Sequence, residues 1–144
     1  MKGVKMLEVR KAIKEDSIGL AALNCEFNGT NVTQEHIIEI IEKGNEVIAV
    51  VLWEKEIIGF ACAQYFKSFC SESMFGEVTE LYVREQFRKK GVATSLIVLL
   101  EKELNLMGVK ETKIITNVKN EVARNFYSNK GYGLKNWVVY KKEY

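Results

Sequence analysis

Residues 77 to 107 constrain the fold more than any other stretch of this chain. They read Glu77-Val-Thr-Glu-Leu-Tyr-Val83, then Arg84-Glu85-Gln86-Phe87-Arg88-Lys89-Lys90-Gly91-Val92-Ala93, then a long amphipathic run to Met107. The order is a strand, a basic turn with one glycine, and a helix. Ala93, Leu96, Ile97, Leu100, Leu104 and Met107 recur at helical spacing, and Gly108 closes the run. Lys113 to Val118 then reads as a strand by composition. A strand, a crossover helix and a second strand make a parallel pair with a right-handed connection.

A turn that enters a helix presents unpaired backbone N–H groups at the positive end of the helix dipole. Such a place binds anions, phosphates above all. Gly91 lets a ligand approach the backbone without meeting a Cβ. Arg88, Lys89 and Lys90 add positive charge. The stretch therefore reads as a phosphate cradle after a buried strand; a basic surface turn capping a helix is the plainer alternative. No Gly-Lys dipeptide occurs in the chain, which excludes the P-loop pattern. Gly91 stands alone, which excludes the three-glycine dinucleotide fingerprint.

The rest of the chain supplies elements of both types. Residues 6 to 13 alternate as a half-buried strand. Asp16 or Ser17 can cap a helix carrying Leu20, Leu23 and Phe27, with Gly29 as its stop. Thr33 can cap a second helix with Ile37, Ile40 and Ile41 on one face, ended by Gly44. Val47 to Trp53 and Ile57 to Tyr65 are strands joined by a hairpin at Glu54-Lys55, which is not a preferred turn pair. Residues 67 to 76 read as a loop. Asn120 can cap a short helix with Ala123, Phe126 and Tyr127 on one face, ended by Gly131, and Trp137 to Tyr140 reads as a last strand.

Arg88-x-x-Gly91-x-Ala93, with Val83 five residues upstream, resembles the acyl-CoA signature of the GNAT superfamily of N-acetyltransferases. Asn120-x-x-Ala123-x-x-Phe126-Tyr127, followed by Gly131-Tyr132, is similar to the family's other recurrent segment. The two stand in order, about 30 residues apart. The resemblance covers roughly residues 46 to 133, and the first 45 residues fit by pattern. It implies an α/β domain over residues 1–144 with a mixed, mostly antiparallel sheet, a parallel strand pair at the acetyl-CoA site and about four helices.

The resemblance also implies a reaction. An acetyl group passes from acetyl-CoA to a primary amine of a small molecule or peptide by direct attack. Backbone N–H groups from Arg88, Lys89, Lys90, Gly91, Val92, Ala93 and Thr94 would face the CoA pyrophosphate. The main chain at Leu81, Tyr82 and Val83 would pair with the pantetheine arm, and Asn120 would contact the same region. Glu77, six residues before Val83, would be the general base; a solvated strand-end charge is its plainer reading. Tyr127 would protonate the departing thiolate; a core aromatic is its plainer reading. Period two puts Glu77, Thr79, Leu81 and Val83 on one face and Glu80 on the other. Glu26, Glu35 and Glu72 fall in segments that flank the acceptor in this family.

Composition narrows the classes. With 21 basic and 19 acidic residues, the net charge of +2 is too balanced for nucleic acid as the main partner. Cys25, Cys62 and Cys70 are odd in number and lack metal-like spacing, so they read as reduced thiols in a cytoplasmic protein. His36 is the one histidine and reads as structural, so no metal is expected. The opening residues Met1 to Lys5 hold no signal-peptide pattern, and no apolar run is long enough to span a membrane. Only 13 residues follow Gly131, where the family usually has two strands that wall the acceptor site. Either that side is open or a partner subunit completes it, which leaves a homodimer open. The competing class is a non-catalytic acyl-CoA-binding sensor or scaffold.

Overall fold

The computed structural model describes residues 7 to 144. The start of the expected first strand, at residue 6, and the Met1–Lys5 segment lie outside the described residues. The chain divides into two compact units, the first ending at Ile114 and the second running Ile115–Tyr144. The first unit holds β1 (Leu7–Lys11), α1 (Ser17–Asn28), α2 (Gln34–Lys43), β2 (Glu46–Trp53), β3 (Glu56–Ser68), β4 (Ser71–Val83), α3 (Val92–Leu106) and β5 (Val109–Ile114). The second holds α4 (Glu121–Asn129).

The five strands form one sheet in the order β1-β2-β3-β4-β5. β1 through β4 pair antiparallel, and β4 pairs parallel with β5. A parallel pair needs a crossover, and α3 is that crossover. The α/β class and the mixed, mostly antiparallel sheet with one parallel pair are as expected. The β2–β3 hairpin turns on Glu54 and Lys55, both left-handed at φ 49° and 70°. A two-residue turn imposes that geometry whatever residues it holds.

Alternate strand residues pack on two helical layers. Leu20 and Leu23 of α1 and Ile37 of α2 bury against Val50, Leu52, Phe60 and Cys62. The intervening residues Val47, Ala49, Val51, Ala61, Ala63 and Val78 are buried on the opposite face. That face belongs to α3: a Cβ at Gly76 would meet Leu104 Cδ1 at 3.4 Å. Leu96, Ile97, Leu100 and Leu104 of α3 are all at most 1% exposed. Each such side chain contributes about 1.5–3 kcal/mol by leaving water.

Four expectations need correction. Residues 67–76 are no loop: β3 and β4 extend as a ribbon to a turn at Phe69–Cys70, with Phe66 opposite Phe75. Their polar composition suits a ribbon with solvated faces as well as a loop. β5 is Val109–Ile114 rather than 113–118, because it pairs with Met74–Val78 and ends where that pairing ends. Trp137–Tyr140 has no regular secondary structure; β-branched and aromatic composition alone does not make a strand. Asp16 occupies the N-cap of α1 without capping it. Its carboxylate instead accepts from the Ile13 N–H at 2.8 Å and from both Arg10 terminal nitrogens at 2.7 and 3.0 Å. Thr33 caps α2 as expected, accepting from the His36 N–H.

Asp16 is 6% exposed. Burial pushes its carboxyl pKa up, but the Arg10 guanidinium and the Ile13 N–H outweigh burial and hold it below the ordinary value. A folded pKa below the unfolded value of about 3.9 stabilises fully above that pH and ceases to do so as pH falls through the folded pKa. Asp16→Asn should therefore cost about 1–3 kcal/mol at neutral pH in a urea melt. The gap from the parent should narrow in acid. A gap that widens below pH 4 contradicts the assignment.

Candidate active site

The register of β4 against β3 carries an irregularity that sets the site. Glu77 pairs with Gln64 and Val78 with Ala63, but Glu80 pairs with Cys62, so Thr79 has no partner. This is a β-bulge, one extra residue in β4. Beyond it Leu81, Tyr82 and Val83 pair with Ala61, Phe60 and Gly59. Cross-strand partners share a face. Glu77, Glu80 and Tyr82 therefore lie on the α1–α2 face with Gln64, Cys62 and Phe60. Leu81 and Val83 lie on the α3 face.

That overturns the expected face assignment, in which Glu77 accompanied Leu81 and Val83 and Glu80 stood opposite. The extra residue inverts the alternation after Val78. The sequence does carry a trace of it. Val78 and Val83 are both buried on the α3 face, an odd number of positions apart, which period two alone forbids. The Thr79 hydroxyl donates to the Cys62 carbonyl at 3.4 Å.

A group of carboxylates results on the α1–α2 face. Desolvation raises the Glu80 pKa, opposed by a hydrogen bond from Asn28. Burial raises that of Glu46, opposed by the Cys62 thiol, and the Glu80 charge raises it further. Burial pushes the Cys62 thiol well above its ordinary value, with the Glu46 charge adding to it. Cys62 is thus a protonated core thiol and no nucleophile. Glu77 has Lys113 of β5 as a cation partner at 3.7 Å. Among the described residues, no group of three or more His, Cys, Asp or Glu is arranged to hold a metal.

The edge of β4 opens at the same place. Its parallel pairing with β5 stops at Val78 opposite Ile114, while its pairing with β3 continues to Val83. Among the described residues of the first unit, no strand pairs with the β5-side edge from Thr79 to Val83. β4 then runs through a short 3-10 turn, Glu85–Phe87, into α3. Gly91 sits at the N-cap with φ +78°, and no side chain caps the helix. Only glycine adopts that φ freely, and a Cβ there would meet nothing within 4 Å. The first N–H groups of α3, at Val92, Ala93 and Thr94, thus face outward without a capping side chain. Lys89 and Lys90 are exposed beside them.

Arg88 behaves differently from its lysine neighbours. Its Nε donates to the Val83 carbonyl at 2.7 Å, and its guanidinium lies 5.7 Å from the Tyr82 ring centre. It braces the turn instead of projecting from it. Tyr82 stacks on Phe27 of α1 at 4.8 Å and donates its hydroxyl to Glu26 at 2.6 Å. Arg84 joins Glu26 at 3.4 Å and Glu56 at 2.6 Å. Glu26 is thus engaged with β4. His36 sits on α2 with its backbone N–H on Thr33.

In the second unit, Asn120 caps α4 by accepting from the Ala123 N–H at 3.1 Å. Tyr127 is half-buried, and Phe126 and Tyr132 meet its ring edge-on at 5.4 and 6.0 Å. Burial raises its phenol pKa, so it is protonated at neutral pH. The Tyr132 N–H returns to the Tyr127 carbonyl at 3.1 Å, with Gly131 left-handed at φ +91° between them.

Known proteins are similar to this chain in sequence or architecture. An aminoalkylphosphonate N-acetyltransferase of Salmonella typhimurium is 25% identical over 129 residues, covering 87% of this chain and 84% of the relative. An aminoglycoside acetyltransferase from an uncultured soil metagenomic sample, solved with trehalose, superposes with a TM-score of 0.84 at 19% identity. That match covers 96% of this chain and 95% of the other. An aminoglycoside N-acetyltransferase solved in complex with CoA gives 0.84 at 17% identity, over 99% and 98% of the two chains. The chain matches the Acetyltransferase (GNAT) family over residues 14–133 and belongs to that family.

Proposed function

We propose that this protein is an N-acetyltransferase that moves an acetyl group from acetyl-CoA to a primary amine of a small molecule or peptide. The observation that carries the reading is one continuous piece of chain. β4 frees its edge after the bulge and runs directly into the uncapped N-terminus of α3. A free strand edge suits an extended amide-bearing arm. An uncapped helix start beside two lysines suits a phosphate. On this reading Leu81, Tyr82 and Val83 hold the pantetheine arm with Asn120. The N–H groups of Arg88, Lys89, Lys90, Gly91, Val92, Ala93 and Thr94 hold the pyrophosphate, and Arg88 keeps the turn in shape. Residues 1–144 act as one acetyltransferase domain in the cytoplasm. Among the described residues no helix is long and apolar enough to cross a membrane.

The chemistry balances as follows. The ammonium gives up a proton, the free amine attacks the thioester carbon, the nitrogen loses a second proton as the C–S bond breaks, and the thiolate takes up a proton, so that one proton is released overall. Glu77 is our general base, directly or through one water, and Tyr127 our general acid. Glu80 joins Glu77 because the bulge gives them a common face. Burial raises its pKa, which makes it a stronger proton acceptor than a fully solvated carboxylate. Both carboxylates also favour a cationic acceptor. The substrates of the relatives, an aminoalkylphosphonate and aminoglycosides by their names, support a small amine.

Cofactor binding is tested by thermal melting. Acetyl-CoA and CoA should each raise Tm by mass action, and Gly91→Asp should abolish the shift by adding charge and bulk where φ is +78°. No shift of the parent at millimolar CoA contradicts the reading. A shift without turnover on any amine favours an acyl-CoA sensor.

Substitutions separate the chemical roles. Glu77→Gln should lower kcat by roughly 10²–10⁴-fold at neutral pH, the loss shrinking as pH rises and free amine accumulates. A parent-like kcat there, with the loss in Glu80→Gln instead, transfers the role to Glu80. Tyr127→Phe should leave acetyl-CoA affinity within a few-fold and lower kcat by about 10²-fold or more. A fall confined to KM makes the hydroxyl a positioning group.

A further inference from the structure

Two aromatic rings stand on the sheet beside the carboxylates and enter no step of the chemistry above. Phe66 of β3 pairs with Phe75 of β4, one alternation out from the Gln64–Glu77 pair, and the register is regular between the two pairs. Side chains two residues apart on a strand share a face. Phe66 and Phe75 therefore lie on the α1–α2 face with Gln64 and Glu77. Their ring centres are 6.1 Å apart and the ring planes are tilted by 35°. The buried cluster under α1 and α2 reaches Ile48 and Cys62, on the inner side of Gln64. Phe66, on the outer side, is 42% exposed, and Phe75 is half-buried.

Negative charge borders this pair. One row crosses the sheet beside it as Glu46, Gln64, Glu77 and Lys113. Glu80 lies one row further in, opposite Cys62, and Glu111 of β5 pairs with Phe75 itself. Lys113 offsets one of these four carboxylates, with its Nζ 3.7 Å from Glu77. The balance on the face stays negative. A cross-strand aromatic pair steadies a ribbon, which explains why the two rings touch. It does not explain why they stand open to water next to carboxylates. Small-molecule sites combine aromatic walls with a few placed polar groups that fix orientation, and this surface has both.

We propose that Phe66 and Phe75 determine acceptor specificity as an aromatic shelf, holding the aromatic ring of a small amine whose ammonium lies at Glu77 and Glu80. A third ring packs against an aromatic pair edge-on or offset. The spacing sets the linker. Two residues along a strand advance about 7 Å, so a chain of about three carbons joins ammonium and ring. The occupant is a small molecule because the apolar surface is one residue pair wide. Beyond it toward the turn stands Ser68 with Ser71. The occupant is a cation because the bordering charge is negative. The inference rests on the acetyltransferase reading and names the acceptor class of that same site.

Steady-state kinetics on the full-length protein at saturating acetyl-CoA test the shelf, comparing 3-phenylpropylamine with propylamine. Both amines carry one charge, so the comparison isolates the ring. The parent should show a KM about tenfold lower for 3-phenylpropylamine at similar kcat, as expected for partly covering one ring. Phe66→Ser and, separately, Phe75→Leu should raise that KM toward the propylamine value while kcat holds. That split marks binding shared by ground and transition state. The parent's own ratio stands whether or not either variant folds. Equal KM values for the two amines in the parent overturn the shelf and leave acetyl transfer intact. No turnover of any amine overturns acetyl transfer and the shelf with it. Preference for a peptide with an N-terminal phenylalanine over the free amine gives the rings to a protein terminus. A parent dimer that Phe66→Ser dissociates gives them to a second copy. Either result overturns the proposal.

Discussion

Beyond Glu72 and Ser73 near the hairpin turn, Thr79 is the one residue of β4 that the pairing with β3 skips, and the rest of the site depends on that interruption. A regular strand would alternate Glu77, Thr79, Leu81 and Val83 on one face. The extra residue swings Glu80 and Tyr82 to the face of Glu77 and leaves half-buried Leu81 and buried Val83 on the α3 face. Bulges bend and twist the strand that holds them. Here the bulge coincides with the point where β4 stops pairing with β5. One local irregularity therefore goes with two consequences: carboxylates gathered on one face, and a free backbone edge just beyond them.

The surrounding structure holds that edge in place. α3 follows β4 after one short turn and anchors it through a buried stripe from Val92 to Leu104. On the other face α1 reaches β4 through Phe27 stacked on Tyr82 and through Glu26. The exposed ion pairs of Arg84 contribute little each in water. Their combination with the stacked ring and with Arg88 on the Val83 carbonyl restricts the strand-to-helix turn more than any one of them. Rigid support under a ligand-binding turn reduces the ordering cost of binding.

Much of this was legible in the residues. The apolar spacing of 93–107 gave α3, since a long run at period 3.6 has no other solution. Thr33 and Asn120 were readable as caps because their side chains can reach the N–H three residues on. The cradle was readable because turn, glycine and helix are contiguous. Three features were not. The bulge depends on which β3 residues face β4, which is a long-range fact; its local trace is the odd spacing of Val78 and Val83. The 67–76 ribbon has the composition of a loop and is a strand because its two arms pair with each other. Asp16 looked like a cap and serves Arg10, six residues earlier, because β1 brings the guanidinium to it. The Trp137–Tyr140 run shows the converse: its residues suit a strand, and it has no regular structure.

The most direct measurement is the product balance of the reaction. The protein would be incubated with saturating acetyl-CoA and a panel of primary amines, following free thiol by absorbance and acetylated amine by mass spectrometry. Transfer at the β4 face should release thiol and N-acetylated amine in equal amounts, with rates rising for amines that carry a second positive charge. Thiol released without acetylated product, or none released by any amine while CoA still binds, would contradict an amine acetyltransferase.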